Sequence, residues 1–135
     1  TRRGIAGVHN TAFIHDGQIY ACGPNGKYSC ARLVDGEKLW STFSPAEGGR
    51  PTSWANVFTV RQGNRYFLAN DYGELIIAGL SPAGYTEISR AKLIEPTHQV
   101  GGRTLVWSHP AFANRSVYLR NDREIRCYSL AKRPD

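Results

Sequence analysis

The chain has 135 residues and a mass of 15.0 kDa, which is enough for one domain and too few for two. Its 41% hydrophobic and 21% charged residues exclude a disordered or collagen-like chain, and no apolar run approaches the roughly 18 residues of a membrane span. The net charge is +6, but the cations are scattered and no recognition helix is apparent, so we expect no nucleic-acid partner. Because residues 1–7 contain neither Met nor an apolar signal core, we expect the true N-terminus to lie upstream.

The sequence repeats itself at a spacing of about fifty residues, which indicates a repeat architecture. Residues 8–13 resemble residues 107–112, and residues 54–58 begin a similar segment between them. Each segment leads through a short turn to an aromatic residue; these residues are Tyr20, Phe67 and Tyr118, which are 47 and 51 residues apart. The similarity continues beyond them, since residues 67–75 match residues 118–125 with one deletion. The repeat units therefore cover approximately residues 5–44, 52–98 and 104–131.

Each unit is predicted to form short β strands, because its segments are rich in Val, Ile, Tyr and Phe and are bounded by turn residues. Asp16-Gly17, Asn25-Gly26 and Asp35-Gly36 suit tight hairpins. Residues 74–80 are apolar on both faces, as in a strand inside a covered sheet. Residues 85–95 lack Gly and Pro and could form a helix, but we predict an extended strand because they correspond to residues 38–41 of the first unit.

A period of this length with four short strands is typical of a β-propeller blade. We therefore predict an all-β fold: residues 1–135 form one propeller segment of about three blades of four antiparallel strands, in an incomplete ring. The last unit lacks a fourth strand. Such a wedge leaves apolar blade faces uncovered, so the expected partner is the remaining propeller blades, another protein chain, or a second copy in a homo-oligomer.

Residues 30–40 resemble the tryptophan-docking motif of PQQ-like (quinoprotein-type) propeller repeats, Ala-x-Asp-x-x-Thr-Gly-Lys-x-x-Trp. Gly36 and Trp40 match the motif and Cys30 takes its small first position, whereas Arg32, Asp35 and Glu37 replace its Asp, Thr and Lys. Residues 88–97 and 106–115 also resemble stretches near the C-terminal end of bacterial members of this family, of the kind found in Planctomycetes. The resemblance implies that Trp40 packs between neighbouring blades. It also implies the C-terminal part of a ring of about seven or eight blades and a periplasmic or exported location.

The function predicted from these features is a non-catalytic binding or assembly scaffold. Its partner surface is expected on the long connections at residues 43–53 and 96–102, because loops on rigid scaffolds carry function. We assign no catalytic, cofactor-binding or metal-ligating residue and no cofactor. The alternative is a C-terminal fragment of a PQQ-dependent dehydrogenase-like oxidoreductase whose cofactor residues lie upstream. A third hypothesis is a basic surface that binds an anionic polymer.

The polar and aromatic candidates for a site are interpreted as structural. Four aspartates fall at predicted turns, where Asp is favoured for backbone reasons; they are Asp16, Asp35, Asp71 and Asp122. His9 and His109 occupy nearly equivalent places, together with Asn56, and could bind metal or act as a base. We favour hydrogen bonds from both imidazoles to carbonyl groups of the adjoining unit, since repeats copy scaffold residues. His15 and His98 are expected to face solvent, and Trp54 and Trp107 to pack between units.

The cysteines Cys22, Cys30 and Cys127 have no metal-ligand spacing. Cys22 and Cys30 could form a disulfide across the hairpin that turns near Asn25-Gly26. Alternatively, all three are small buried apolar residues without a bridge, and we favour this second interpretation because free cysteine is usually buried.

Overall fold

The computed structural model describes residues 5, 7 and 9–132, and its regular structure consists of β strands. The thirteen strands are β1 (Phe13–His15), β2 (Gln18–Cys22), β3 (Tyr28–Arg32), β4 (Lys38–Thr42), β5 (Val57–Gln62), β6 (Arg65–Asn70), β7 (Glu74–Ser81), β8 (Gly84–Lys92), β9 (His98–Val100), β10 (Arg103–Leu105), β11 (Ala111–Ala113), β12 (Ser116–Arg120) and β13 (Ile125–Ser129). The described ranges contain no α-helix and one 3₁₀ turn, Glu47–Gly49. The predicted all-β class is confirmed. Val8, which opens the aligned segment, lies outside the described residues, as does most of the N-terminal segment at residues 1–7.

The strands form four antiparallel sheets, and none of them closes on itself. The first sheet contains β1–β4 and the second contains β5–β8, each with neighbouring strands in chain order. The third sheet contains β11–β13, and β9 and β10 form a separate two-stranded hairpin. The long connection predicted at residues 96–102 contains part of this hairpin, since His98 pairs with Leu105 and Val100 with Arg103 around Gly101-Gly102.

The predicted turns, the inner strand at residues 74–80 and the extended segment that begins at residue 85 are found where the sequence indicated them. Asp16 and Gly17 both have positive φ, as the tight β1–β2 hairpin requires. Strand β7 lies inside its sheet, between β6 and β8. Strand β8 is extended and pairs with β7 from Gly84 to Lys92. Helical propensity in this segment is therefore overridden by pairing with a buried strand.

The first, second and third sheets stack face to face in that order, with one apolar core in each gap. The core between the first and second sheets contains Tyr20, Cys22, Tyr28, Cys30, Val57, Tyr66, Leu68, Ile76 and Ala78. The core between the second and third sheets contains Phe58, Phe67, Ala69, Leu75, Ile94, Val106, Val117 and Leu119. The second sheet is thus covered on both faces, which explains why its inner strand β7 is apolar on both sides.

The register of the hairpins corrects the alignment of the first and last units by one residue. Phe13 pairs with Tyr20, whereas the residue that pairs with Tyr118 is Ala111 rather than Phe112. Since side chains alternate between the faces of a strand, this shift reverses the assignment of faces. Phe13 accordingly packs in the first core and Phe112 in the second.

At one cross-strand pair, the outer face of the third sheet carries the same residue types, in the same register, as the face by which the first sheet packs on the second. Tyr118 pairs with Cys127 as Tyr20 pairs with Cys30. Cys30 is fully buried, but Cys127 is exposed, because no described residue forms a layer over the third sheet. The prediction of burial is therefore correct for Cys22 and Cys30 and wrong for Cys127. All three thiols are free, so the alternative of a Cys22–Cys30 disulfide is not found.

Candidate functional site

The two ends of the stack differ in what they carry. At the connection end the chain passes between sheets, through residues 43–56 and 93–110. At the hairpin end lie the tight turns between the first two strands of each sheet, at residues 16–17, 63–64 and 114–115. Both segments predicted to contact a partner, residues 43–53 and 96–102, belong to the connection end.

Arg103 joins the two predicted partner segments. Its Nη2 donates to Glu47 Oε2 at 2.8 Å, and its Nη1 donates to the carbonyl oxygen of Ser53 at 2.8 Å. Glu47 and Ser53 lie in the first segment, and Arg103 follows directly after the second. A guanidinium group has several donors in a fixed plane, so one side chain can hold both segments in one geometry.

Asp71 anchors this arrangement in the interior. Its carboxylate is completely buried at the turn between β6 and β7, and Oδ2 accepts a hydrogen bond from Arg103 Nη1 at 3.0 Å. Burial raises the pKa of the Asp71 carboxyl, and the Arg103 guanidinium opposes part of that rise. The other oxygen, Oδ1, is buried without a hydrogen-bond partner. The position of both segments thus depends on a buried charge pair.

Trp54 is a large hydrophobic side chain exposed at the connection end. It is 48% exposed and has a φ of 61°, a left-handed conformation that a bulky residue rarely adopts. Its indole packs against the glycine turn of the β9–β10 hairpin, where a Cβ on Gly101 would lie 3.2 Å from Trp54 Nε1. The prediction that Trp54 packs between units is therefore wrong, since the ring lies on the surface over the turn that Arg103 fixes.

Two asparagines link the first and second sheets beside this surface. Asn10 Nδ2 donates to Asn56 Oδ1 at 2.5 Å and to the Cys22 carbonyl oxygen at 3.3 Å. Asn56 is buried, and its Nδ2 donates to the His9 carbonyl oxygen at 3.4 Å. Neither amide side chain is charged, and their hydrogen bonds join them to each other and to backbone carbonyl groups. This pair therefore connects the sheets and does not supply a reactive group.

The histidine rings stack on aromatic side chains. The His9 ring centroid lies 4.4 Å from the Trp107 ring, and the His109 ring lies 3.8 Å from Phe58. Within the described residues, neither imidazole makes the predicted hydrogen bond to a backbone carbonyl. The one-residue correction of the alignment also removes the equivalence of His9 and His109. His98 is exposed, as predicted, and its Nδ1 lies 3.4 Å from Asp122 Oδ2.

His15, in contrast, is half-buried rather than solvent-facing. The four aspartates occupy turns as predicted, and Asp35 shows the expected backbone role, because its Oδ1 accepts the Glu37 N–H at 2.9 Å. In the described part of the chain, no group of three or more His, Cys, Asp or Glu side chains is arranged to hold a metal ion.

Arg103 and Glu47, which organise this end, were not predicted from the sequence, and Trp54 was predicted in a buried rather than an exposed position. One signal was present: Glu47 lies in the first long connection, and the oppositely charged Arg103 directly follows the second, after the Gly101-Gly102 turn. No protein-family model matches the chain, and no curated protein matches it. Among the residues that the structure describes, no helix is long and apolar enough to cross a membrane.

Proposed function

We propose that the chain is a segment of a PQQ-like β-propeller that serves, without catalysis, as a binding and assembly scaffold in a periplasmic or exported protein. Two features support the propeller proposal. Three antiparallel sheets with strands in chain order stack face to face. Trp40, on the last strand of the first sheet, donates from Nε1 to the Ser81 carbonyl oxygen of the second sheet at 2.7 Å. This inter-sheet contact agrees with the role that the docking-motif resemblance implies for Trp40.

The assembly role that we propose belongs to the outer face of the third sheet. Tyr118 and Cys127 occupy the register positions through which Tyr20 and Cys30 pack on the second sheet. Ile125, on the same face, is 74% exposed. These side chains occupy the positions that another sheet covers in the first sheet, yet they are exposed. We therefore infer that the partner of this face is a further sheet, which the remaining blades or another chain would supply.

The assembly proposal is tested by alkylating Cys127 over a series of protein concentrations, with light scattering on the same samples. We expect the alkylation rate to fall as the chain associates, because a sheet packed on this face covers the thiol. A monomer at every concentration, with a constant alkylation rate, would contradict self-assembly through this face.

The binding role that we propose belongs to the connection end, and one observation carries it. The Trp54 indole is exposed and is held on two segments that Arg103 clamps together. Trp and Arg are enriched where interfaces concentrate binding energy. A preorganised aromatic side chain also loses little conformational freedom on binding. This geometry suits the docking of a protein partner on Trp54.

The decisive variant is Trp54→Gly, because glycine readily adopts a φ of 61° and therefore keeps the loop conformation. The chain and its variants are immobilised and used to capture partners from the source cells. We expect Trp54→Gly to lose a partner that the unaltered chain captures, with an unchanged melting temperature. Val34→Ala, which shortens an exposed apolar side chain at the hairpin end, is the matched control and should retain it. Capture that survives Trp54→Gly would refute this surface.

A further inference from the structure

A separate cleft opens at the hairpin end, between the second and third sheets. Its volume is about 360 Å³, within the range typical of small-molecule sites. The apolar lining consists mainly of Val60, Phe67, Phe112 and Leu130. The Phe67 and Phe112 rings are stacked, with centroids 5.2 Å apart, and both residues line the cleft. This cleft lies at the opposite end of the stack from Trp54 and is independent of the proposed partner surface.

Among the described residues that line the cleft, every charged side chain is cationic. These side chains are Arg61, Arg115 and Lys132, and no Asp or Glu lies among the described lining residues. Neither the Arg61 nor the Arg115 side chain has a hydrogen-bond or ion-pair partner among the described residues, whereas Arg32, Arg90 and Arg126 pair with carboxylates. Two guanidinium groups next to an apolar surface are complementary to an anion that carries an apolar body.

The backbone at Arg115 gives an independent reason to assign a role to this side chain. Asn114 and Arg115 both have positive φ, 50° and 55°, in the turn between β11 and β12. The corresponding turn of the first sheet has Gly17, with a φ of 75°, at the position of Arg115. Arginine is disfavoured in this conformation and glycine is not. Strained residues of this kind concentrate at ligand sites.

We propose that this cleft binds a small carboxylic acid with a flat apolar body. The body lies against Phe67, Phe112 and Leu130, and the carboxylate binds the guanidinium groups of Arg61 and Arg115. Burial of the body supplies the apolar contribution, and charge-assisted hydrogen bonds from arginine select the carboxylate over a neutral amide of the same shape.

The test is an NMR titration of the 135-residue chain with 3-phenylpropanoate, alongside its neutral analogue 3-phenylpropanamide and acetate. We expect saturable shifts of the backbone amides at residues 60–67, 112–116 and 130–132 with 3-phenylpropanoate. The amide and acetate should each bind at least tenfold more weakly, because one lacks the charge and the other lacks the apolar body. Equal binding of acid and amide, or shifts located elsewhere, would overturn the proposal.

The variant Arg115→Gly removes the guanidinium group without destabilising the turn, because glycine readily adopts the positive φ of this position. We expect at least fivefold weaker binding of 3-phenylpropanoate with an unchanged or higher melting temperature. Arg61→Gln should weaken binding similarly and serves as the second variant if the turn rearranges. Arg123→Gln removes the same charge from the opposite end of the third sheet, and it should bind as the unaltered chain does. Unchanged affinity in both cleft variants would exclude the arginines as carboxylate ligands.

Discussion

Replacing Arg103 by Gln leaves the Asp71 carboxylate buried without its cationic partner. Arg103 holds Asp71 Oδ2 at 3.0 Å, and the second oxygen of Asp71 already lacks a hydrogen-bond partner. A glutamine at this position can donate a neutral hydrogen bond but cannot compensate the charge. We therefore expect the variant to lose stability through an uncompensated buried carboxylate.

The size of the loss follows from the burial of each group. Removing one partner of a buried ion pair costs about 3–5 kcal/mol. Asp71 is completely buried, but the Arg103 and Glu47 side chains are 16% and 29% exposed, so Glu47 can return to solvent when Arg103 is removed. The expected loss is therefore near the lower limit, about 3 kcal/mol, which lowers the melting temperature by roughly 10 °C in a domain of this size.

The loss depends on pH in a defined direction. Burial raises the pKa of folded Asp71 above its unfolded value of about 3.9, and removing Arg103 raises it further. Between the two pKa values the folded chain binds more protons than the unfolded chain, so stability falls as pH rises through this interval. The stability difference between the unaltered chain and Arg103→Gln should therefore be smaller at pH 5 than at pH 8.

Urea unfolding at pH 5 and pH 8 measures both effects. Arg50→Gln removes an exposed arginine from the first partner segment and should change stability by less than about 0.5 kcal/mol. The double variant Asp71→Asn with Arg103→Gln replaces the charge pair with neutral amides and should recover much of the loss. A loss below about 1 kcal/mol for Arg103→Gln, equal at both pH values, would refute the buried-charge argument.

The remaining predictions concern the thiols and two glycines. In dilute native protein, a thiol reagent should modify the exposed Cys127 rapidly. Burial raises the pKa of the Cys22 thiol to about 12, so Cys22 should react only when the chain unfolds. Mass spectrometry of the labelled peptides measures both reactions. Modification of Cys22 in the folded chain would contradict its burial. Gly73→Ala should cost more than about 3 kcal/mol in urea unfolding, because its φ is 84° and the new Cβ would lie 1.9 Å from the Ile94 carbonyl oxygen. Gly17→Ala, with a φ of 75° and nothing within 4 Å, should cost only about 1 kcal/mol; equal losses would show that the Ile94 contact is relieved by movement.

Local patterns in the sequence predicted the strands and turns well, because those elements depend on neighbouring residues. Asp16-Gly17 forms its hairpin through backbone preferences alone, and β7 is apolar on both sides as an inner strand must be. The repeat is visible in the residue types, but matching Phe13 with Phe112 places the alignment one residue out of register. Similarity of residue types cannot detect such a slip, whereas the pairing of Phe13 with Tyr20 determines it.

The candidate surfaces could be predicted less well, because they depend on contacts between distant segments. Arg103 meets Ser53 and Asp71 across 50 and 32 positions of the chain, a separation at which no sequence pattern operates. The exposure of Cys127 was missed for a related reason. Its strand has the same pattern as the strand of Cys30, and only the layer packed on each strand distinguishes them.

The repeated asparagines Asn70 and Asn121 have a consequence for how the stack comes apart. Each Oδ1 accepts two backbone N–H groups of its own hairpin turn, while Nδ2 donates to the connection that precedes its sheet, at Pro45 and Glu95 respectively. Opening either turn therefore also releases the linker that leads into its sheet. Neighbouring layers in such an array are coupled mainly to each other. A sheet and the linker that leads into it should accordingly open as one cooperative unit. In amide hydrogen exchange, the amides of each turn should therefore show the same opening free energy as the amides of its linker.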